Sequence, residues 1–405
     1  MLNARPILSA LLRNKTGAVL VALQIAISLA LLVNAVYFVK LRIDRMHRDT
    51  GFDDQNIFVV SSEGFTSHFN FEASLRTDLD YLRGLDGVVA ATVTNAIPLS
   101  GGGSSDQLSV DPEGKSMAVP PNIFQTDEDG LKAFGVRLIA GREFKKDEIM
   151  PPVTENITDV APANVIVSQR LAEQLFPHQS AVGKVVYERP GKPSTIVGVV
   201  APMLGSWPFS PQQADLVAFE ARLPKLRGFF FLVRTRPGTL DRLMRTVEEH
   251  MTASNPDRVV KFVQPLSIFK KRTYSGDRSV SIFLSVVTLL LISVTCLGIF
   301  GLTTFNVSSR TKQIGTRRAV GARRSDILQY FMVENGLITT TGVAVGCVLA
   351  LAIGYGLSVK LALPRLDLYF LVGGVALLWA LGQLAAWHPA RRAASVPPSV
   401  ATRTV

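Results

Sequence analysis

Four apolar runs, residues 17–39, 280–305, 331–357 and 366–387, constrain this chain more than any other feature of it. Each holds about the 20 mainly apolar residues needed to cross a hydrocarbon core roughly 30 Å thick. No Lys or Arg interrupts any of them, and their polar content includes Glu334 near the start of the third, with Gln24, Asn34 and Gln383 elsewhere. Runs this long favour membrane spans over the buried helices of a soluble enzyme. Arg5, Arg13 and Lys15 precede the first run as they would a secretory signal, but its length and the continuation "VNAVYFVKLRIDRMHR", with no clear small-x-small cleavage site, read as a retained anchor.

Charge orders these spans across the membrane. The formal net charge is +11. That excess sits in short segments beside the spans: Arg5, Arg13 and Lys15 in residues 1–16; Arg310, Lys312, Arg317, Arg318, Arg323 and Arg324 against Asp326 in residues 306–330; Arg391, Arg392 and Arg403 in residues 388–405. Residues 40–279 carry 29 basic and 29 acidic side chains and are neutral. A basic chain ordinarily suggests nucleic acid. Here the positive-inside rule and anionic lipid headgroups account for the charge, and no nucleic-acid partner is expected. Both termini and residues 306–330 are then cytoplasmic, leaving residues 40–279 and the short loop 358–365 outside.

The expected fold is an α+β membrane protein with four transmembrane helices and a large mixed α/β domain between helices 1 and 2. Within residues 40–279, short β-branched or aromatic stretches at 56–62, 87–95, 164–169, 194–200 and 229–235 read as strands. Segments 71–85, 168–176 and 240–251 read as helices. "IPLSGGGSSD" (97–106) and "VPPN" (119–122) read as loops, a candidate boundary between two subdomains, and 150–164 as a surface insertion. Cys296 and Cys347 lie in predicted spans, so the outer domain is expected to rely on its own core. The five histidines are scattered, without metal-ligand spacing.

Catalytic signatures are missing. The nearest approach to a phosphate-binding loop, Gly114-Lys115-Ser116, has Ser109 where the motif needs its first glycine. Nucleophile elbows and His-Glu zinc motifs are absent too. The chain is expected to be non-catalytic, with no cofactor of its own.

The most informative segment is "SSRTKQIGTRRAVGARRSDILQY" (308–330). Apolar Ile314, Ala319, Val320, Ile327 and Leu328 interleave with the arginines, and Gly321 separates two short helical patterns. Ser325 reads as the N-cap of a helix starting at Asp326. Glu334 either pairs with an arginine of this segment or caps the start of the third span. Gly342 and Gly346 form a small-x-x-x-small pair, read as packing within the chain. A basic loop that merely fixes topology is the plain alternative for the whole segment.

"SSRTKQIGTRRAVGARRSDILQYFMVENGLI" resembles the cytosolic loop of MacB/FtsX-like permeases of ABC transporters. "TGFDDQNIFVV", "DGLKAFGVRLIAGREF", "NVIVSQRLAEQLFPHQSAVGKVV" and "HPARRAASVPPSVATR" are similar to the same family in the same order. The resemblance implies a stand-alone permease of a bacterial inner membrane: a cytoplasmic N-terminus (1–16), a MacB-type periplasmic domain (40–279), a cytoplasmic coupling segment (306–330) and a cytoplasmic tail (388–405). It implies an ABC ATPase partner that binds ATP and Mg, a second permease copy or homologue, and a periplasmic adaptor or membrane fusion protein. Export by mechanical transmission is the function it points to. An FtsX-like regulator of a cell-wall hydrolase and an antimicrobial-peptide sensing module are the alternatives. The candidate coupling residues are Ile314, Arg317, Arg318, Val320, Gly321, Arg323, Arg324, Asp326 and Glu334.

Overall fold

The computed structural model describes residues 15–66, 68–113, 118–152, 160–189, 191–225, 229–361 and 364–397. The Gly114-Lys115-Ser116 piece, most of the N-terminal segment and part of the 150–164 insertion lie outside them. The chain forms two units: Met1–Met46 with Asp277–Val405, and His47–Gly276.

Helix α1 (Lys15–Met46) opens the first unit. The second unit, the head, contains two sheets. In the first, β1 (Ile57–Gly64), β2 (Val88–Thr94), β9 (Phe230–Thr235) and β10 (Arg258–Pro265) are antiparallel in the order β10-β1-β9-β2. The second runs β3 (Asn122–Thr126), β8 (Val217–Ala221), β5 (Asn164–Ser168), β7 (Lys192–Val200) and β4 (Leu138–Gly141), with β6 (Val185–Arg189) also on β7. It is mixed: β3–β8 and β5–β7 are parallel, β5–β8 and β4–β7 antiparallel.

The period of two along each strand builds the layers. Ile57 and Val59 of β1 and Leu232 of β9 face a core shared with Phe124, Ile166, Val217 and Phe219 of the second sheet. Their neighbours Phe58, Val60, Phe231 and Val233 face the opposite way, under α2 (Phe71–Gly84) and α5 (Leu240–Ser254). On the far side of the second sheet, Val165, Val167 and Ala218 pack beneath α4 (Gln169–Leu175). Helix α3 (Gly130–Phe134) inserts Phe134 into the shared core, with its ring 5.1 Å from Phe124 and 5.2 Å from Phe219. Burying side chains of this size contributes about 1.5–3 kcal/mol each. The two sheets therefore share one core between them.

Polar joints reinforce that core. Asp127, at the end of β3, accepts from Arg83 of α2 at 2.8 Å and from Thr92 of β2 at 2.7 Å, linking the two sheets. Burial pushes its carboxyl up to about 6, against the pull of Arg83. Glu220 on β8 accepts from Gln125 at 3.1 Å and faces a second carboxylate, Glu188. Burial and that neighbour push it up to about 8.

The expected strands are found as β1, β2, β5, β7 and β9, and the expected helices as α2, α4 and α5. Asn70 caps α2 through Ala73 N–H, and Ser168 caps α4 through Leu171 N–H. Asn122, read as the end of a loop, instead begins β3. Its side-chain amide donates to Gln213 and Leu216 carbonyls, and its carbonyl accepts from Ser206 N–H.

Helix α6 (Leu266–Thr273) closes the head, and α7 (Ser275–Ser309) returns the chain to the first unit. There follow α8 (Thr311–Ala319), α9 (Arg324–Leu361) and α10 (Leu368–Ala394). Helices α1, α7, α9 and α10 are long and apolar enough to span a membrane. Asp367, inside the fourth run as read from sequence, is the N-cap residue of α10.

Glycines set the closest approach. A β-carbon on Gly342 would lie 2.7 Å from the Ala22 carbonyl oxygen, and one on Gly346 3.0 Å from that of Ala26. The small-x-x-x-small pair thus seats α9 against α1 within the chain. The spans' polar residues act as clamps: Asn34 donates to Ala350 O at 3.1 Å, Gln24 to Val294 O at 2.9 Å, and Asn335, which the sequence reading passed over, to Gly382 O at 3.0 Å. Ser28 and Thr295 hydroxyls meet at 2.8 Å. Near the other end of α1, Arg42 is ion-paired with Asp277 of α7.

Candidate functional site

The arginine-rich segment forms a compact turn between α8 and α9. Gly321 makes it possible: with φ at +104° it occupies the left-handed region. Gly321 N–H donates to Arg318 O and Ala322 N–H to Arg317 O, the paired bonds of a Schellman motif that satisfies the carbonyls at the end of α8. Val320, just before the glycine, is left 84% exposed.

The start of α9 corrects the sequence reading. The helix begins at Arg324, before Ser325, and Asp326 caps it from within: its carboxylate accepts the Arg323 backbone N–H at 2.9 Å. A negative charge there also suits the positive end of the helix dipole.

Beneath the turn, apolar packing ties it to two spans. Ile314 is buried with Ile327 and Phe331 of α9 and with Ala390, Ala393 and Ala394 of α10. The small residues of α10 let α8 lie close. Arg318 adds a polar brace by donating to the carbonyls of Val396 at 2.7 Å and Ala394 at 3.3 Å, where α10 leaves its orphan acceptors.

Glu334 lies nearly three turns inside α9, so it cannot cap that helix. It pairs with Arg310, which joins α7 to α8. Arg310 Nη1 is 3.2 Å from both carboxylate oxygens, with hydrogen-bond alignment to Oε2, and also donates to the Tyr330 hydroxyl at 3.2 Å. Tyr330 and Glu334, four residues apart, share a face of α9. The Arg317 guanidinium lies over the Tyr330 ring, 5.2 Å from its centre.

The candidate residues therefore divide into two groups. Val320, Gly321, Arg317, Arg323, Arg324 and Asp326 are exposed at the turn, whereas Ile314, Arg318 and Glu334 face inward and fix it to the spans. Arg310 and Tyr330 complete the inner group and were not among the sequence candidates. Helix α8 is thus in side-chain contact with both α9 and α10. Among the described residues no cluster of His, Cys, Asp and Glu could hold a metal ion.

Fold and site together define a polytopic membrane protein with an α/β head inserted between its first two spans and a cationic turn between its second and third. Residues 18–249 match the MacB-like periplasmic core domain, and residues 285–398 match the FtsX-like permease C-terminal domain. The chain belongs to the MacB/FtsX-like permease family. It is 25% identical over 297 residues to the macrolide export ATP-binding/permease protein MacB 1 of Yersinia pestis, covering 69% of this chain and 43% of that protein. Against the macrolide export ATP-binding/permease protein MacB of Escherichia coli K12 the identity is 29% over 255 residues, with 58% and 37% covered. The chain thus spans less than half the length of these curated relatives. The periplasmic region of MacB from Actinobacillus actinomycetemcomitans aligns with a TM-score of 0.35 and 14% identity, covering 56% of this chain and 96% of that one.

Proposed function

We propose that this chain is the permease subunit of a MacB-like ABC transporter, coupling ATP hydrolysis on a separate ATPase chain to movement of its head and so to export. One observation carries the reading: an exposed apolar tip, Val320, on a turn that also exposes Arg317, Arg323 and Arg324, is braced from behind against two spans. An apolar anchor surrounded by charges is the anatomy of a protein contact, with the arginines steering an acidic partner.

In this account the turn faces the cytoplasm of a bacterial inner membrane and the head faces the periplasm, as the basic bias of the short segments favours. ATP and Mg reside on the ATPase, and a second permease and a periplasmic adaptor complete the assembly. The clamping of Gln24, Asn34 and Asn335 by carbonyls of neighbouring helices supports mechanical transmission, since these polar groups serve packing. The test is copurification of the full chain with its ATPase. Replacing Arg317, Arg323 and Arg324 together by Ala should weaken recovery of the ATPase at least tenfold at physiological salt; undiminished recovery leaves the turn a topological signal and refutes the docking role.

A further inference from the structure

Beside the Arg310–Glu334 pair lies a small pocket of about 90 Å³, lined by Gly17, Ala18, Leu302, Phe305, Asn306, Arg310 and Glu334. Its walls are contributed by α1 and α7, its floor by the ion pair. Glu334 is 97% buried, yet its Oε1 has no hydrogen-bond donor, although Arg310 Nη1 is only 3.2 Å away. A buried carboxylate oxygen left without a donor is costly, and the cost is greatest for a charged group. Asn306, half-buried on α7, adds a side-chain amide to the pocket lining. Phe305, on the rim, is well exposed on a spanning helix, so the pocket borders the acyl region on the side of the arginine-rich turn.

An orphan anionic acceptor, a neighbouring guanidinium and an apolar rim at lipid depth are complementary to one kind of group. The acceptor wants an N–H donor bearing positive charge, the guanidinium an anion, and the rim a hydrocarbon chain. We propose that this pocket seats the headgroup of a phospholipid carrying a primary ammonium, as phosphatidylethanolamine does. The ammonium donates to Glu334 Oε1, the phosphate lies towards Arg310 and Asn306, and an acyl chain passes along Phe305 and Leu302. The volume holds several waters or one aminoethyl group. The bound lipid would fill the space between α1 and α7 next to the joint of α7 with α8. This assignment does not depend on the docking of any ATPase.

The discriminating property is donation. A choline headgroup has the same charge and phosphate but three methyl groups in place of the N–H donors. The full chain is reconstituted in nanodiscs containing equal amounts of phosphatidylethanolamine, phosphatidylcholine and phosphatidylglycerol, released into the gas phase, and its retained lipids are weighed by native mass spectrometry. Charge-assisted hydrogen bonds are the strong ones, and tenfold in occupancy needs only about 1.4 kcal/mol. About tenfold enrichment of phosphatidylethanolamine over phosphatidylcholine is therefore expected. Glu334→Gln should bring the ratio close to one. Ala18→Leu, which leaves the ion pair intact and fills the pocket, should do the same and keeps the test valid if the first variant folds poorly. Equal retention of the two lipids by the unaltered chain would mean that waters fill the pocket. Enrichment that survives Ala18→Leu would place the lipid elsewhere, and preferential retention of phosphatidylglycerol would reduce the site to phosphate recognition by Arg310. Each of these results overturns the proposal.

Discussion

Removing the Arg318 brace while leaving the outer face of the turn intact should loosen α8 in a measurable way. Its guanidinium donates to Val396 O at 2.7 Å and to Ala394 O at 3.3 Å. Hydrogen bonds from charged donors contribute about 1.5–3 kcal/mol; with one of the two long and the helix end partly exposed, about 2 kcal/mol is a reasonable total for the brace. Arg318→Ala should therefore raise the population of the state in which α8 separates from α10 about 30-fold, since about 1.4 kcal/mol corresponds to tenfold. Amide hydrogen exchange followed by mass spectrometry reads this opening over Thr311–Ala319. The control is Arg324→Ala, whose exposed side chain has no hydrogen-bond partner among the described residues and whose loss should leave exchange unchanged. Exchange in Arg318→Ala within twofold of the parent would show that apolar packing around Ile314 holds α8 alone, and the division of the arginines into outer and inner groups would fail.

Two further outcomes follow from the fold. Gly342→Ala places a β-carbon 2.7 Å from a backbone oxygen of α1 and should cost about 1–3 kcal/mol as overpacking; Gly356→Ala, which meets nothing within 4 Å, should not lower the melting temperature in detergent, and equal melting of the two variants would refute the α1–α9 contact. The raised pKa of Glu220 makes the folded state bind its proton more tightly than the unfolded state, so its contribution is full below the ordinary carboxyl value of 4.5 and is lost as pH rises through about 8. Melting of the full chain should fall as pH rises from about 4.5 to about 8 and level off above that, and Glu220→Gln should flatten that slope; an unchanged slope would remove Glu220 as its source.

Much of the architecture was legible because it follows from composition and period. A run of 23 residues without charge spans a membrane whatever its neighbours, and alternation in "NIFVVSS" sends Phe58 and Val60 one way and Ile57 and Val59 the other. Strand β8 was missed because "VAFEA" carries Glu220, an acid that looks like a surface residue until Gln125 and Glu188 are found around it. Helix starts were misplaced by a residue or two at α9, since Asp326 caps from the third helical position, a role that Ser325 was expected to fill from the N-cap.

The turn itself was legible as a cluster of arginines around a glycine, but the separate tasks of those arginines were not. The acceptors for Arg318 lie 76 and 78 residues further along the chain, at the end of α10. No spacing rule within residues 306–330 reveals which guanidinium turns inward. The Arg310–Glu334 pair had the same difficulty: both residues were visible, but their meeting depends on the angle at which α7 gives way to α8. Exposure of Val320 likewise depends on the left-handed Gly321 that follows it.

The most direct measurement of the central claim is site-specific photocrosslinking in intact cells, with a photoreactive amino acid placed at Val320 and, separately, at buried Ile314. The account predicts an adduct between position 320 and the partner ATPase, with position 314 yielding little. An ATPase adduct from neither position, or equal yields from both, would contradict a turn that presents its tip to a motor on the cytoplasmic side.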